Sequence, residues 1–583
     1  MEQASTKSER TETDSQAPMG YATTRSLERV AAAMGELDAA PVRFEAAVDI
    51  SAGGVLLALP ALLAAGLLRY TPNFYKLPQG YYGIDSIFLL LAMMALARLT
   101  SIEQLRYEAP GEWGNLLGLD RVPEVRCLRS KLALLSRKDG QAGKWNTELA
   151  KDWMGQLPDG EMLFYIDGHV RVYQGSQTEL PRHYVARQRL CLRATTDYWI
   201  NAMDGQPFFY VNQEADPGLL ATMRQDLVPW LEAHAPIPAE HRARMAADSR
   251  QPLFTLIFDR EGYSPDFFRE MEAQRIAILS YHKFAGADWS VEEFAAREVK
   301  LAGGETVAMA LAERVTVLSN GLAVREIRKR SENGHQVSIL TTNRVMERER
   351  LAAAMFARWS QENFFKYMRQ HYGLDRLVEY AVGPVPDTVS VVNPARRKLD
   401  SDIRTLTGQL GRHGAQFAAL SLEGPLDPAP VARYQTQKSE LQERINALQK
   451  DLIQLKTERK TTPKRVEMKD LAEAERFQRL LPERKHFVDT IKLIAYRAET
   501  SLASVLREKL ARHDDARVLL RQIFYTEVDL APDLPAKTLT VRLHHLAQNA
   551  HDVSVRHLCD QLNATETLFP GTDLRVVYKL GSN

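Results

Sequence analysis

Two short runs constrain this chain more than any other feature. MLFYI (162–166) and LFTLIF (253–258) are wholly apolar, and each is followed at once by an aspartate, Asp167 and Asp259. Unbroken apolar runs of this length are the mark of strands covered on both faces. A third run, IAILS (276–280), has the same character. Between them lie helical patterns at 218–234 and in SPDFFREMEAQ (264–274), where Ser264 is a ready N-cap and Pro265 takes the first helical position. HVRVYQG (169–175) alternates like a half-exposed strand. TDYWINAMDGQPFFYVNQ (196–213) reads as two strands around an Asp204-Gly205 turn. Strands and helices in this order predict an α/β domain, over 151–385.

The rest of the chain is organised around that domain. With 583 residues, about three or four domains are expected. Residues 1–25 are polar and aperiodic and read as a disordered tail. Residues 26–150 read as a helical N-terminal domain. Its segment 116–138 places Arg126, Arg129 and Lys131 on a helix that suits either a DNA-binding helix-turn-helix or a solvated face. Residues 284–343 alternate with Gly-containing turns and predict a β-rich insertion. Within 395–465, Leu399, Ile403, Leu406 and Leu410 recur at heptad spacing. After a Pro/Gly-rich turn, so do Leu441, Ile445, Leu448, Leu452 and Leu455. That predicts an antiparallel coiled-coil hairpin, with a parallel dimeric coil as the alternative. Residues 466–583 read as a mostly helical C-terminal region with a strand near 574–579.

Composition excludes several classes. A net charge of +1 argues against a uniformly basic binder, and Cys127, Cys191 and Cys559 lack metal-type spacing. Such cysteine usage fits a reducing compartment. The apolar segments 50–68 and 86–97 are interrupted or short for a membrane span, so they read as buried helices.

The stretch 354–373 reads as one helix, apolar on most of its circumference, with Arg358, Glu362 and Arg369 in a narrow polar stripe. Alone, Glu362 suggests a core ion pair. With Asp167 and Asp259 at strand ends, where open sheets present their functional groups, it suggests three converging carboxylates. Such groups repel unless divalent cations bind, and oxygen-only ligands favour Mg²⁺ or Mn²⁺. Two ions can activate a water and stabilise the leaving oxygen of a phosphodiester.

The combination resembles the DDE transposases of bacterial insertion sequences, whose catalytic domain has the ribonuclease H-like fold. The nearest pattern is the subgroup with a β-strand insertion before the last catalytic residue. That subgroup carries Tyr-x-x-Arg-x-x-x-Glu-x(6)-Lys, and this chain has Met355-x-x-Arg358-x-x-x-Glu362-x(6)-Arg369. FYIDGH (164–169), LIFDREG (256–262), DYWINAMDGQPFF and DTIKLIAYRAET also look like segments of one group of transposases. The spacings agree: 259 − 167 = 92 and 362 − 259 = 103, the second leaving room for an insertion.

The resemblance implies catalytic and metal-binding Asp167, Asp259 and Glu362, with two Mg²⁺ (or Mn²⁺) ions per site. It further implies double-stranded DNA as substrate, both element ends and target, and at least a homodimer to pair the ends. A bacterial cytoplasm, at the nucleoid and away from the membrane, is the expected location. Arg358 and Arg369, with the neighbouring Lys366, would hold phosphates. The acid-free segment PRHYVARQRLCLR adds Arg182, Arg187, Arg189 and Arg193. Rival readings are a non-catalytic DNA-binding protein derived from such an enzyme, and a coiled-coil scaffold whose carboxylates form ion pairs.

Overall fold

The computed structural model describes residues 18–581 apart from 158–161, 176–177, 186–187, 214–216, 302–303, 357–358, 377, 379–380, 422–427 and 548–550. Residues 1–17 of the expected tail lie outside the described residues, whereas 18–25 pack on the N-terminal region, where Arg25 is buried and donates to Pro41 O at 2.8 Å.

A ten-stranded mixed sheet forms the centre. Its strands are β1 (Leu163–Val172), β2 (Arg182–Val185), β3 (Leu190–Asn201), β4 (Pro207–Gln213), β5 (Phe254–Phe258), β6 (Ile276–Tyr281), β7 (Ala295–Lys300), β8 (Thr306–Val317), β9 (Ala323–Arg330) and β10 (Gln336–Thr341). The order is β2-β3-β1-β5-β6-β10-β9-β8-β7, with β4 also on β3. Strands β1, β5 and β6 are parallel; β3 runs antiparallel to β1, and β4, antiparallel to β3, runs the same way as β1 again. The 284–343 region supplies β7 to β10. It does not stand apart, because β10 pairs antiparallel with β6 and so extends the central sheet.

Strand β1 departs from expectation. The sequence suggests one strand ending at Asp167 and another beginning at His169, yet β1 runs unbroken from Leu163 to Val172. Its parallel pairing with β5 covers Leu163 to Tyr165, whereas its antiparallel pairing with β3 continues to Val172. Asp167 is thus the point where one neighbour falls away. The helix Pro265–Ala273 starts as read, with Ser264 Oγ accepting from Phe267 N at 3.3 Å.

The stretch 354–373 is two helices, α1 (Arg348–Phe356) and α2 (Trp359–Tyr372), flanking 357–358. On α2, Phe364, Phe365, Met368 and Tyr372 are buried, while Glu362, Asn363, Lys366, Arg369 and Gln370 are exposed. The helix is therefore covered on one side and not most of the way round. Asn363, Lys366 and Gln370 widen the polar stripe to the breadth of an ordinary solvent face.

Two long helices, α3 (Pro394–Ala419) and α4 (Pro428–Thr461), lie antiparallel. Arg396 near the start of α3 donates to Thr462 O at 2.7 Å, and Lys438 near the start of α4 sits 4.9 Å from the Phe417 ring. Ile403, Ile445 and Leu452 are buried between them. Their roots are clamped by the two-stranded ladder of Ser390–Val392 with Arg465–Glu467.

The N- and C-terminal regions form one body. Helix α5 (Glu483–Arg507) packs against Leu59–Ala64, Ile84–Leu96 and Gln141–Gly155. At its centre Tyr75, Phe88, Trp145 and Phe487 meet with ring centroids 5.1–5.9 Å apart. The apolar segments near 50–68 and 86–97 are buried here, and no helix among the described residues is long and apolar enough to cross a membrane. A Cβ on Gly54 would lie 1.7 Å from Ile523 O, so only glycine permits this approach of N- and C-terminal segments.

The C-terminal region contains more sheet than the sequence suggests. Ala47–Ile50, β11 (Val528–Asp533), β12 (Thr538–Leu543) and β13 (Arg575–Leu580) make a four-stranded sheet. Pro532 masks β11 in the sequence. It lies beyond the part of β11 that pairs with Ala47–Ile50, so its missing N–H costs nothing on that side. Replacing Phe487 by Ala should cost roughly 3–5 kcal/mol, read as a lower urea midpoint. An unchanged midpoint would remove the aromatic cluster from the stability of this body.

Candidate active site

Alternation along β1 puts Tyr165, Asp167, His169 and Arg171 on one face, about 6.6 Å apart. Three of the four reach another element. The Tyr165 hydroxyl donates to the carbonyl of Ala354 on α1. Asp167 Oδ1 accepts from Gly168 N at 2.9 Å. The His169 ring stacks on Phe365 of α2 at 5.0 Å and 9°, and its Nε2 lies 2.6 Å from Asp375 Oδ1. Arg171 grips Asp197 of β3, with Nη2 2.8 Å from Oδ1.

Asp259, the residue after β5, falls opposite Asp167 when the β1–β5 register is extended past its paired residues. On β1 and β5 the pairs are Leu163–Thr255, Phe164–Leu256 and Tyr165–Ile257. Each pair is 92 residues apart, the same offset as Asp167 to Asp259 (259 − 167). Both aspartates are half-buried and share the face of Tyr165 and Ile257. Asp259 Oδ1 accepts from Arg260 N at 2.6 Å, opening a short 3₁₀ turn. Glu362 is on the exposed side of α2, one turn before the Phe365 that lies over His169. Thus the first two carboxylates are neighbours in the sheet, and the third is on a helix fastened over the same strand.

Among the described residues, Asp167, Asp259 and Glu362 are not all within 4.8 Å of one another, unlike Asp49, Glu527 and His544 on the small C-terminal sheet. Repulsion between like charges keeps such groups apart unless cations intervene. The two strand carboxylates and Glu362 offer oxygen ligands only, which fits Mg²⁺ or Mn²⁺ and not softer metals.

The other residues expected at the site divide by environment. Arg369 Nε donates to Asp375 Oδ2 at 3.0 Å, with both side chains 38% exposed. Lys366 is exposed, as are Arg182 on β2 and Arg189 in the turn after it. Arg193 pairs with Glu179. Arg187 and Arg358 lie outside the described residues. The tryptophans suited to stacking on a base are core groups: Trp199 stacks on Tyr210 at 4.2 Å, and Trp289 is held between Arg314 and Arg328.

What the sequence pattern does not announce is the fastening of α2. Lys485, Asp489, Lys492 and Glu499 recur on α5 at steps of 4, 3 and 7 and form one buried stripe. The carbonyls at the end of α2 take up its cations: Lys485 Nζ donates to Leu374 O at 2.9 Å and Lys492 Nζ to Gly373 O at 3.4 Å. Cations at a helix C-terminus also oppose its dipole. Glu499 accepts from the hydroxyls of Tyr367 and Tyr372 and pairs with Arg98 at 2.7 Å and Arg517 at 3.6 Å. The available signal is the set of isolated charges in the apolar run IKLIAYRAETSLASVL.

Burial opposes ionisation of Glu499, but Arg98, Arg517 and the two tyrosine hydroxyls overcome it and hold the carboxyl below its usual range. Burial likewise opposes Asp197, and Arg171 and Lys485 outweigh it. Burial alone dominates at His486, pushed down to about 4 from 6.5, and at Lys485, pushed down to about 8.

Fold and site together define a mixed α/β protein with one aspartate within a central strand and a second just past the end of its parallel neighbour. A family profile described as "transposase protein" matches residues 20–582, and the chain belongs to that family. No protein of curated function matches its sequence significantly. A cryo-EM structure of the piggyBac transposase synaptic complex with hairpin DNA aligns over 81% of this chain and 82% of that one, at 10% identity and a TM-score of 0.25. A likeness that low carries no argument.

Acid should destabilise the protein in two stages. His486 binds its proton near 6.5 when unfolded and near 4 when folded, so stability falls as pH drops between these values, by roughly 3 kcal/mol. The Glu499 and Asp197 contributions, present above the ordinary carboxylate range, are lost at still lower pH as the folded-state values are crossed. His486→Gln should flatten the first stage in a plot of thermal midpoint against pH; an unaltered slope would refute its assignment. Glu499→Gln leaves two guanidiniums uncompensated and should cost about 3–5 kcal/mol at neutral pH. A midpoint equal to wild type would show that Glu499 does not secure α2.

Proposed function

We propose that the chain is a DDE transposase with a ribonuclease H-like catalytic core, cleaving DNA at the ends of its own mobile element and joining them to target DNA. The observation that carries this is the parallel β1–β5 pairing, whose register extended by two residues sets Asp259, just past β5, opposite Asp167, with the Glu362 helix fastened over the same face of β1. A meander of β1, β3 and β4 continued by parallel β5 and β6 supports the ribonuclease H-like reading of the sheet. In this reading β7 to β10 are the insertion before the last acidic residue, and α3 with α4 is the coiled-coil hairpin.

Asp167, Asp259 and Glu362 are the residues that would hold two Mg²⁺ or Mn²⁺ ions. When bound, such ions supply an activated water and stabilise the leaving oxygen of a phosphodiester. The chain's own part is positional. Gly168 N and Arg260 N fix one oxygen of each aspartate, and the parallel pairing of β1 with β5 brings the two segments side by side. His169 and Phe365 set the height of α2, and hence of Glu362, above them. Lys366, Arg369 and Arg358 are placed by sequence to take phosphates beside Glu362. Arg369 would exchange Asp375 for a phosphate on binding. Arg182, Arg187, Arg189 and Arg193 serve as outlying backbone contacts. Pairing of two element ends calls for a dimer of this chain.

Asp167→Asn, Asp259→Asn and Glu362→Gln should each abolish Mg²⁺-dependent nicking of DNA spanning the native element ends, by a thousandfold or more, while duplex binding persists. Cleavage retained in any of the three would overturn the triad. A wild-type protein that binds duplex but never nicks with Mg²⁺ or Mn²⁺ would point instead to a transposase-derived DNA-binding protein.

A further inference from the structure

The chain's charge is almost balanced, but its arginines are unevenly placed. A cavity of about 360 Å³ beside the helix Val125–Leu135 is bordered by Arg106, Arg121, Arg126 and Arg129. A second, of about 1210 Å³, shares Arg129 and adds Arg369, Arg376 and Arg484. The two adjoin at Arg129 and together present seven arginines against Glu103, Glu124 and Asp375. Against a net charge of +1 for the whole protein, this is a marked segregation of positive charge.

Some of these arginines serve the fold. Arg129 pairs with Glu103 at 2.5 Å, and Arg369 with Asp375. Arg121, Arg126 and Arg376 do not: all three are exposed, and among the described residues none has a carboxylate partner. Guanidiniums left unpaired along a cleft suit a partner that brings its own regularly spaced anions.

The position of the cleft identifies that partner. Asp375 borders the larger cavity and lies 2.6 Å from His169 Nε2, and His169 shares the Asp167 face of β1 two residues along the strand; Val172, the last residue of β1, borders the cavity as well. Along the strand axis Val172 is five residues from Asp167, about 17 Å, which is the rise of roughly five base pairs of duplex. Resting on the reading of Asp167 as a cleavage residue, the geometry points to this arginine cleft as the track for the DNA backbone leading away from the cut. Arg376, in the larger cavity, contacts phosphates beginning roughly five base pairs from the scissile bond, and Arg121 and Arg126, in the adjoining one, contact phosphates farther along. The contacts set affinity and register and carry no base sequence.

The test is binding of a random-sequence 30-bp duplex by the full-length protein, followed by fluorescence anisotropy in Mg²⁺-free buffer over a range of salt. The triple substitution Arg121→Gln, Arg126→Gln, Arg376→Gln should lower affinity more than tenfold and reduce the slope of log affinity against log salt by about 2.7, near 0.9 for each phosphate no longer neutralised. The charge-preserving triple to Lys should keep the wild-type slope, which separates removal of charge from failure to fold. A control of equal charge change on the long helices, Arg404→Gln, Arg412→Gln, Arg444→Gln, should bind as wild type. Unchanged binding by the first triple, an equal weakening in the control, or no duplex binding by wild type would each overturn the cleft. Nicking is measured separately with Mg²⁺. A protein that binds through the cleft and never nicks overturns the catalytic reading alone, whereas Asp167-dependent nicking with an indifferent cleft overturns only this inference.

Discussion

The alternation of strand β1 is the constraint from which the rest of the site follows. A strand sends successive side chains to opposite faces, so Tyr165, Asp167, His169 and Arg171 must share one face. Burying that face requires a partner for every polar group on it. Helix α1 supplies a carbonyl for Tyr165, α2 a ring for His169, the segment after α2 the carboxylate of Asp375, and β3 the carboxylate of Asp197. Asp167 is left just past the place where β5 ends its pairing with β1, and Asp259 follows directly on the end of β5. The acidic pair is therefore a product of strand length as much as of residue choice.

Helix α2 is held from the far side by a charged stripe that an apolar helix could not replace without losing direction. The Lys485–Asp489–Lys492 group grips its last carbonyls, and Glu499 grips two of its tyrosines through hydroxyl groups. Hydrogen bonds to buried charges are geometrically demanding, and removing one partner leaves the other stranded. Such a network fixes the axial position of α2 more sharply than side-chain packing does. Because Arg98 and Trp145 come from the N-terminal region and α5 from the C-terminal region, the two ends of the chain jointly set where Glu362 stands.

Much of the sheet is legible in the sequence because its signals are local. The apolar runs at 162–166, 253–258 and 276–280 are β1, β5 and β6, and the Asp204-Gly205 turn joins β3 to β4. Heptad spacing finds the residues that are least exposed on α3 and α4. The errors are local too. The polar half of β1 looks like a second strand, the polar residues of α2 look too few to make a solvent face, and Pro532 hides β11.

By itself the sequence determined which residues carry chemistry: carboxylates after apolar strands, and a glutamate on an aromatic-rich helix. Only the tertiary structure decided their neighbours. The parallel pairing of β1 with β5, the grip of Glu499 on α2, and the adjoining of the Arg126 and Arg376 cavities all join segments far apart in the chain. Periodicity reports the face on which a side chain lies. It does not report which distant element covers that face, because that is set by the packing of the whole chain.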